Sequence, residues 1–165
     1  MVMETLYYTH FRSPIGPLMV AVSGRGLVAI AFGEEHATKN SRASAEVQWI
    51  ESAEKTAPHV RQLEEYFAGI RREFTLPLDL RGTEFQKRCW QALLEIPYGR
   101  TRSYADVARA VGKPRAFRAV GLANNRNPIP IVVPCHRVIG SDGSLTGYGG
   151  GLDVKEKLLR LEGAA

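Results

Sequence analysis

The chain has 165 residues, of which 44% are hydrophobic and 24% charged, and its formal net charge is +5. This composition is typical of a globular protein and excludes a disordered chain, and the absence of any run of about 20 apolar residues excludes a membrane-spanning helix. The sequence does not open with the basic and then apolar segment of a secretion signal. We therefore expect a cytoplasmic protein.

In the first 80 residues the sequence predicts a small α+β domain that supports the rest of the chain. Three β-type runs, Thr5 to Phe11, Leu18 to Val22 and Leu27 to Phe32, are separated by glycine-containing turns and predict an antiparallel meander. The elements predicted after the meander are a helix around Glu46–Glu54, a helix carrying Val60, Leu63, Tyr66 and Phe67 that Gly69 ends, and a strand from Phe74 to Leu80.

Residues 81–165 predict a mainly helical domain. Thr83 with Gln86, and Ser103 with Asp106, have the spacing of helix-capping residues. The helix opened by Thr83 carries Cys89 on its apolar face, which places this thiol in the core. The later helices are expected from Arg115 to about Asn124, with Lys113-Pro114 in its first turn, and from Asp153 to about Glu162.

The positive charge is concentrated in this second half. Residues 1–80 hold 8 Lys/Arg against 10 Asp/Glu, whereas residues 81–165 hold 14 against 7. Between Arg100 and Arg137 there are eight basic residues and one acidic residue, Asp106. Such a zone attracts a polyanion, although a solvated basic face has the same composition. Charge alone leaves both interpretations open.

The helices that begin near Ser103 and Arg115 are joined by a tight turn at Gly112 and form a candidate helix-turn-helix. The second helix is thin, because alanine and glycine dominate it, and it projects Arg115 and Arg118. Either the first domain or DNA could lie against it, and the surrounding charge favours DNA. We predict an α+β fold with an antiparallel-sheet domain, residues 1–80, and a mainly helical, winged-helix-like DNA-binding and catalytic domain, residues 81–165.

The most informative segment is Pro134-Cys135-His136-Arg137-Val138, which follows an apolar run expected to be a strand. A thiol becomes a good nucleophile when a base or a positive field removes its proton, and His136 and Arg137 offer both. Side chains alternate along a strand, so His136 acts as the base only if the chain turns at Cys135 or a water bridges the two. Glu162 could hold the histidine ring, or it could simply be solvated at its helix end.

Two further features of the sequence bear on ligands. The segment Gly147–Gly151 surrounds Tyr148 and lacks the lysine of a phosphate-binding loop, so it is typical of a mobile flap or of backbone that lies close to a flat ligand. The two cysteines and four scattered histidines lack the spacing of a metal site. We expect free thiols and no bound metal.

These motifs resemble those of the O6-alkylguanine-DNA alkyltransferases, the methylated-DNA–protein-cysteine methyltransferases. The resemblance covers essentially the whole chain and is most specific at Pro-Cys-His-Arg. It is carried by Ser13–Gly16, Tyr98-Gly99, Ser103-Tyr104, Arg118–Gly121, Asn127-Pro128, Ile131–Ile139 and Tyr148–Leu152.

The resemblance implies a monomeric protein that binds duplex DNA from the minor groove, flips out an alkylated guanine and moves the O6-alkyl group irreversibly onto a cysteine, once per molecule. It implies that Cys135 accepts the alkyl group, that His136 deprotonates Cys135 through a water, and that Glu162 orients His136. Asn127 would brace the active-site turn, and Tyr104 would rotate the phosphate and hydrogen-bond the guanine. The preferred adduct, activity on O4-alkylthymine and cooperative binding stay open.

The resemblance also implies residues for DNA contact and for the guanine pocket. Arg118 would enter the base stack in place of the flipped nucleotide. The other residues implied are Tyr104, Ala119, Arg115 and Arg126 for DNA, and Val138, Tyr148 and Gly149 for the pocket beside Cys135.

The chain departs from the family at two points. Some members carry a structural zinc in the first domain, and its ligands are lacking here. Phe117 stands where many relatives have alanine, so it either packs inward or alters the local approach to DNA.

Three other functions are alternatives to repair. A sensor of alkylated DNA would lack the cysteine, a methyl-responsive regulator would need a further DNA-binding domain, and a cysteine hydrolase would need a distant histidine and an oxyanion hole. The presence of Cys135 argues against a sensor, and the chain length argues against a regulator. The basic helix-turn-helix argues against a hydrolase.

Overall fold

The computed structural model describes residues 3–33 and 46–164. The chain divides into two compact units, Met1–Leu80 and Arg81–Ala165. Among the helices of the described residues, none is long and apolar enough to span a membrane.

Over residues 3–33 and 46–80, the first unit is a four-stranded sheet with one helix. Strands β1 (Glu4–Ser13), β2 (Gly16–Val22) and β3 (Leu27–Phe32) form the predicted antiparallel meander, which is confirmed. Strand β4 (Val47–Glu51) lies parallel to β1, so the sheet is mixed and its order is β3-β2-β1-β4. Helix α1 (Ala53–Phe67) packs against β1 and β2, and its Leu63 and Tyr66 join β2 in the core.

Two predictions for this unit are wrong. The helix expected around Glu46–Glu54 is β4 followed by the start of α1, and Ser52 caps α1 by accepting a hydrogen bond from the Lys55 amide. The strand expected from Phe74 to Leu80 is reduced to a single bridge between Leu78 and Leu27. Pro77, which has no N–H to donate, can offer only its carbonyl to the amide of Leu27.

The second unit contains four α-helices, α2 (Glu84–Leu94), α3 (Tyr104–Ala110), α4 (Phe117–Asn125) and α5 (Leu152–Leu161). Both predicted capping boxes are present, at the starts of α2 and α3. The indole N–H of Trp90 on α2 donates to the carbonyl of Ala123 on α4 at 2.9 Å, which ties these helices together. The mainly helical unit with a helix-turn-helix, α3 and α4, is confirmed.

Helix α4 begins two residues later than predicted. The amide of Ala116 donates to the carbonyl of Lys113, so Lys113–Ala116 form a separate turn and Pro114 lies outside the helix.

A two-stranded parallel ladder positions the candidate site. Strand β5 (Arg102–Ser103) pairs with β6 (Val138–Ile139), which directly follows a short 3-10 helix, Cys135–Arg137. Because α3 starts at Tyr104, this ladder brings the start of α3 next to the cysteine segment.

Candidate active site

The apolar run before Cys135 folds as a tight turn, and the strand predicted there is wrong. The amide of Val133 donates to the carbonyl of Ile129 at 2.9 Å, and Ile131 lies at φ 76°, which a β-branched residue rarely adopts. Asn127 holds the turn from inside, because its Nδ2 donates to the carbonyl of Val133 at 2.8 Å and its Oδ1 accepts from the amide of Ile129 at 2.9 Å. The strain of about 1–3 kcal/mol at Ile131 is therefore held by local hydrogen bonds and burial.

Cys135 begins the 3-10 helix, so the chain turns at the cysteine as a neighbouring base requires. The amide of Cys135 donates to the carbonyl of Val133 at 2.8 Å. The residue is 5% exposed, and burial raises the pKa of its thiol to about 11, against the opposing influence of Asn127 and Lys155. At neutral pH the resting sulfur is therefore a protonated thiol, and the positive field expected from the sequence does not ionise it.

His136, Arg137 and Glu162 form a fully buried ionic network. Glu162 Oε2 lies 2.7 Å from His136 Nε2, and the guanidinium of Arg137 donates to both carboxylate oxygens, at 2.8 and 3.0 Å. A third donor of Arg137 reaches the carbonyl of Ile96 at 2.7 Å. Glu162 is thus not a solvated helix-end residue. Arg137, which the sequence suggested as a source of field for the thiol, is instead paired with this carboxylate.

This network fixes the proton on the histidine. A carboxylate only accepts hydrogen bonds, so Nε2 carries the proton that it donates to Glu162, and in the neutral ring Nδ1 then keeps its lone pair. Burial lowers the pKa of His136, with Glu162 opposing, so the neutral ring is the stable form near pH 7. In the part of the chain that the structure describes, the buried Nδ1 atom has no hydrogen-bond partner. It is available as a base.

A residue of the site that the sequence motifs did not predict is Lys155, a fully buried lysine on α5. Its ammonium donates to the carbonyl of Val138 at 2.6 Å and to that of Thr146 at 2.7 Å. Burial lowers the pKa of Lys155 to about 8, and the nearby Cys135 opposes this shift. The signal for Lys155 was its position within the apolar stripe of α5, three and four residues before the buried Leu158 and Leu159.

Two tyrosines bring the glycine-rich segment to the site. The hydroxyl of Tyr104 donates to the carbonyl of Thr146 at 3.2 Å, the same carbonyl that Lys155 holds. Burial, together with the charges of Cys135 and Glu162, raises the pKa of Tyr148. Val138 is buried beside the turn, whereas Gly149 is exposed.

The residues predicted to contact DNA lie on an exposed surface of the second unit. Arg118 and Ala119 on α4 are exposed, as are Arg115 in the turn before it and Arg126 after it. Phe117 is 48% exposed, so the alternative that it packs inward is wrong.

Comparison with known proteins identifies the family. The domain model described as 6-O-methylguanine DNA methyltransferase, DNA binding domain, matches residues 84–164, and the model described as its ribonuclease-like domain matches residues 6–80. A methylated-DNA–protein-cysteine methyltransferase of Methanosarcina barkeri is 53% identical over 157 residues, covering 95% of this chain and 97% of the relative. One of Mycobacterium leprae is 54% identical over 150 residues, covering 91% and 88%.

The same relationship holds for solved structures. The crystal structure of Mycobacterium tuberculosis OGT in complex with DNA superposes with a TM-score of 0.86 at 49% identity, covering 96% of this chain and 93% of that one. The chain belongs to the 6-O-methylguanine DNA methyltransferase family.

Membership in the 6-O-methylguanine DNA methyltransferase family establishes the enzyme class and the broad function. The protein is a DNA repair enzyme of the methylated-DNA–protein-cysteine methyltransferase class, acting by direct reversal. The archaeal member from Pyrococcus kodakaraensis, with a TM-score of 0.61 at 32% identity, shares the fold. The family resemblance and fold class predicted from the sequence are thereby confirmed.

Proposed function

We propose that the protein moves the O6-alkyl group of guanine in duplex DNA onto the sulfur of Cys135, once per molecule. The observation that carries this proposal is the buried arrangement of Cys135 and His136, in which Glu162 leaves Nδ1 of the histidine as the free base. A general base is required here because the resting thiol, with a pKa of about 11, is protonated.

The proposed step balances in electrons and protons. Nδ1 of His136 takes the thiol proton through a bridging water, and the sulfur attacks the alkyl carbon. The C–O6 bond breaks and its electron pair goes to the guanine, whose N1 takes up one proton while His136 gives back, through water, the proton that it took from the thiol. The product is a thioether, which has no easy route back to the thiol. As balanced, the reaction needs no cofactor, and each molecule acts once.

Two residues would prepare the thiol without reacting themselves. Asn127 fixes the turn that presents Cys135, through its hydrogen bonds to Val133 and Ile129. Lys155 places a positive charge near the sulfur and holds Val138 and Thr146, so it would stabilise the thiolate that develops during attack and keep the glycine-rich segment in place. Because Lys155 is held by two carbonyls, its charge cannot move away as the reaction proceeds.

The guanine would leave with help from Tyr104. Its hydroxyl, now bonded to Thr146, lies exposed enough to exchange that carbonyl for the purine ring and to donate to it as negative charge develops. We assign Val138, Tyr148 and the backbone at Gly149 to the walls of the guanine pocket. Lys155 would keep Thr146 in place after Tyr104 turns away.

We assign DNA binding to the second unit and support of it to the first. The match of residues 84–164 to the DNA binding domain of the family supports this, as does the solved complex of the Mycobacterium tuberculosis relative with DNA. Extruding a base costs a few kcal/mol of stacking. Arg118, exposed on the thin helix α4, would fill the vacated space, and Arg115, Ala119 and Arg126 would contact the backbone from the minor groove. The cytoplasmic location and the monomeric state stay predictions.

A stoichiometric assay tests the proposal. Excess duplex carrying one O6-methylguanine is incubated with the protein, and repaired guanine is counted against protein. We expect a plateau at one repaired guanine per molecule, and no repair by Cys135→Ala. Repair that continues beyond one equivalent, or that survives in Cys135→Ala, would refute the single-use transfer to this cysteine.

A further inference from the structure

Helix α4 exposes an aromatic ring to which the mechanism above gives no role. Phe117 is the first residue of the helix and is 48% exposed. The residues around it are small, namely Ala116, Ala119 and Gly121. The ring therefore stands above an otherwise thin helix surface.

The geometry of α4 places this ring beside both residues assigned to base extrusion. Residues four apart on a helix share a face, so Phe117 lies one turn before Gly121. The ring of Tyr104 lies across Gly121, since a Cβ placed there would meet Cδ1 and Cε1 of Tyr104 at 3.9 Å. Arg118 follows Phe117 directly. Viewed down the helix axis, the direction of Gly121, which faces Tyr104, therefore lies between those of Phe117 and Arg118, so all three point to one side of α4.

The surroundings of Phe117 indicate what would cover it. A lone exposed apolar side chain is common on proteins and by itself points to no partner. This one, however, is flanked by the basic turn that Lys113 and Arg115 form and by Arg118 on its own helix, a surface that attracts a polyanion. Phosphates drawn to these charges on either side of the ring would bring the groove between them over Phe117. Minor-groove binding proteins commonly insert apolar side chains between base steps, and aromatic rings stack on unpaired bases.

We propose that Phe117 is a second DNA-inserting side chain, which packs on the bases uncovered when the guanine leaves the stack beside Arg118. The inference rests on the proposed function, because it takes opened duplex DNA as the partner. It explains why an apolar ring lies exposed in a basic surface. Nucleobases would cover the part of the ring that the protein leaves exposed. Phe117 would stabilise the opened duplex rather than the reacting atoms.

The test compares two substrates in single-turnover reactions. One is a duplex carrying O6-methylguanine, and the other is free O6-benzylguanine, which needs no base extrusion. A stacked base is worth about 1–3 kcal/mol by alanine substitution, so Phe117→Ala should slow repair of the duplex by about 5- to 140-fold and leave the free base reaction unchanged. Phe117→Trp should stay close to the unsubstituted protein. The matched control is Leu94→Ala, which truncates another exposed apolar side chain of the same unit and should change neither rate.

Salt dependence separates the ring from a neighbouring arginine. Phe117→Ala should weaken duplex binding without changing the slope of log K against log salt, whereas Arg115→Ala, which removes a proposed backbone contact, should reduce that slope by about one. If Phe117→Ala repairs the duplex as fast as the unsubstituted protein, or slows both substrates equally, the inference is wrong while the proposed function stands. If the unsubstituted protein itself fails to accept the alkyl group, the proposed function fails first.

Discussion

Two buried cysteines of the same unit lie in contrasting regions. Cys89 lies on the apolar face of the regular helix α2, beside Trp90 and Leu93, and has no solvent exposure. Cys135 begins a 3-10 helix after a strained turn and keeps 5% of its surface exposed. Burial raises the pKa of both thiols.

A lowered thiol pKa is therefore not what distinguishes the two regions. What distinguishes them is the presence of polar groups around Cys135, namely the neighbouring histidine with an unused lone pair, the amide of Asn127 and the buried ammonium of Lys155. A buried thiol without such groups is inert packing. The proposed acceptor cysteine would therefore differ from Cys89 in having a base as its chain neighbour and a positive charge supplied by Lys155 on the distant helix α5.

Removing each thiol in turn should give the largest difference in methyl transfer between the two cysteine positions. We expect Cys135→Ala to abolish methyl transfer from duplex DNA, and Cys89→Ala to keep transfer of one methyl per folded molecule, because α2 presents no base to its cysteine. Transfer is measured from labelled O6-methylguanine duplex, with circular dichroism to confirm folding. Loss of transfer in folded Cys89→Ala would show that the helical cysteine also takes part.

Removing the carboxylate that orients His136 should have the next largest effect on the rate of transfer. Glu162→Gln removes the carboxylate that requires a proton on Nε2, so Nδ1 is no longer held as the free base, and we expect transfer to slow by about 100-fold. The control is Glu156→Gln on the same helix, whose carboxylate makes only an exposed pair with Arg160. A slow rate in both variants, or in neither, would contradict the role given to Glu162.

The unsubstituted protein and Glu162→Gln should also differ in the pH dependence of transfer. Burial holds the pKa of His136 below 6.5, so the unsubstituted protein should keep its rate as pH falls below 6.5 and lose it only at the lowered pKa. Stability that depends on the neutral ring is likewise present above pH 6.5 and lost as pH falls. Because Glu162 opposes the lowering, Glu162→Gln should move the acid limb of its residual rate to still lower pH. An acid limb that moves upward would be inconsistent with the assigned base.

Removing the side chain of Asn127, which braces the turn before Cys135, should have the smallest effect. Asn127→Ala leaves the carbonyl of Val133 and the amide of Ile129 without their partners, which should lower the free energy of unfolding by about 1–3 kcal/mol. Asn125→Ala, at an exposed position two residues earlier, is the matched control and should be close to neutral. Denaturant unfolding measures both, and equal stability of the two variants would show that Asn127 does not brace the turn.

Local patterns predicted much of this fold, because their causes are local. The pairs Thr83 with Gln86 and Ser103 with Asp106 mark helix starts through hydrogen bonds within four residues, and both are present. Strand β4 was mistaken for a helix, because its strand conformation depends on parallel pairing with the distant β1. A segment of five residues is too short for its own pattern to reveal such a partner.

The site shows the same division between local and distant causes. The Pro-Cys-His-Arg sequence pointed to Cys135 and His136, which are neighbours in the chain. Lys155 was missed, because a lysine in a helix is expected to be solvated, and only the carbonyls of Val138 and Thr146 make its burial possible. The pairing of Arg137 with Glu162 across 25 residues was likewise beyond a sequence pattern.

The most direct measurement locates the transferred group. After reaction with duplex DNA containing O6-methylguanine, the protein is digested and the peptides that contain Cys89 and Cys135 are compared by mass spectrometry. We predict one methyl group on the Cys135 peptide and none on the Cys89 peptide. An unmodified Cys135 after complete repair of the DNA, or a methyl group found on Cys89, would contradict the central claim.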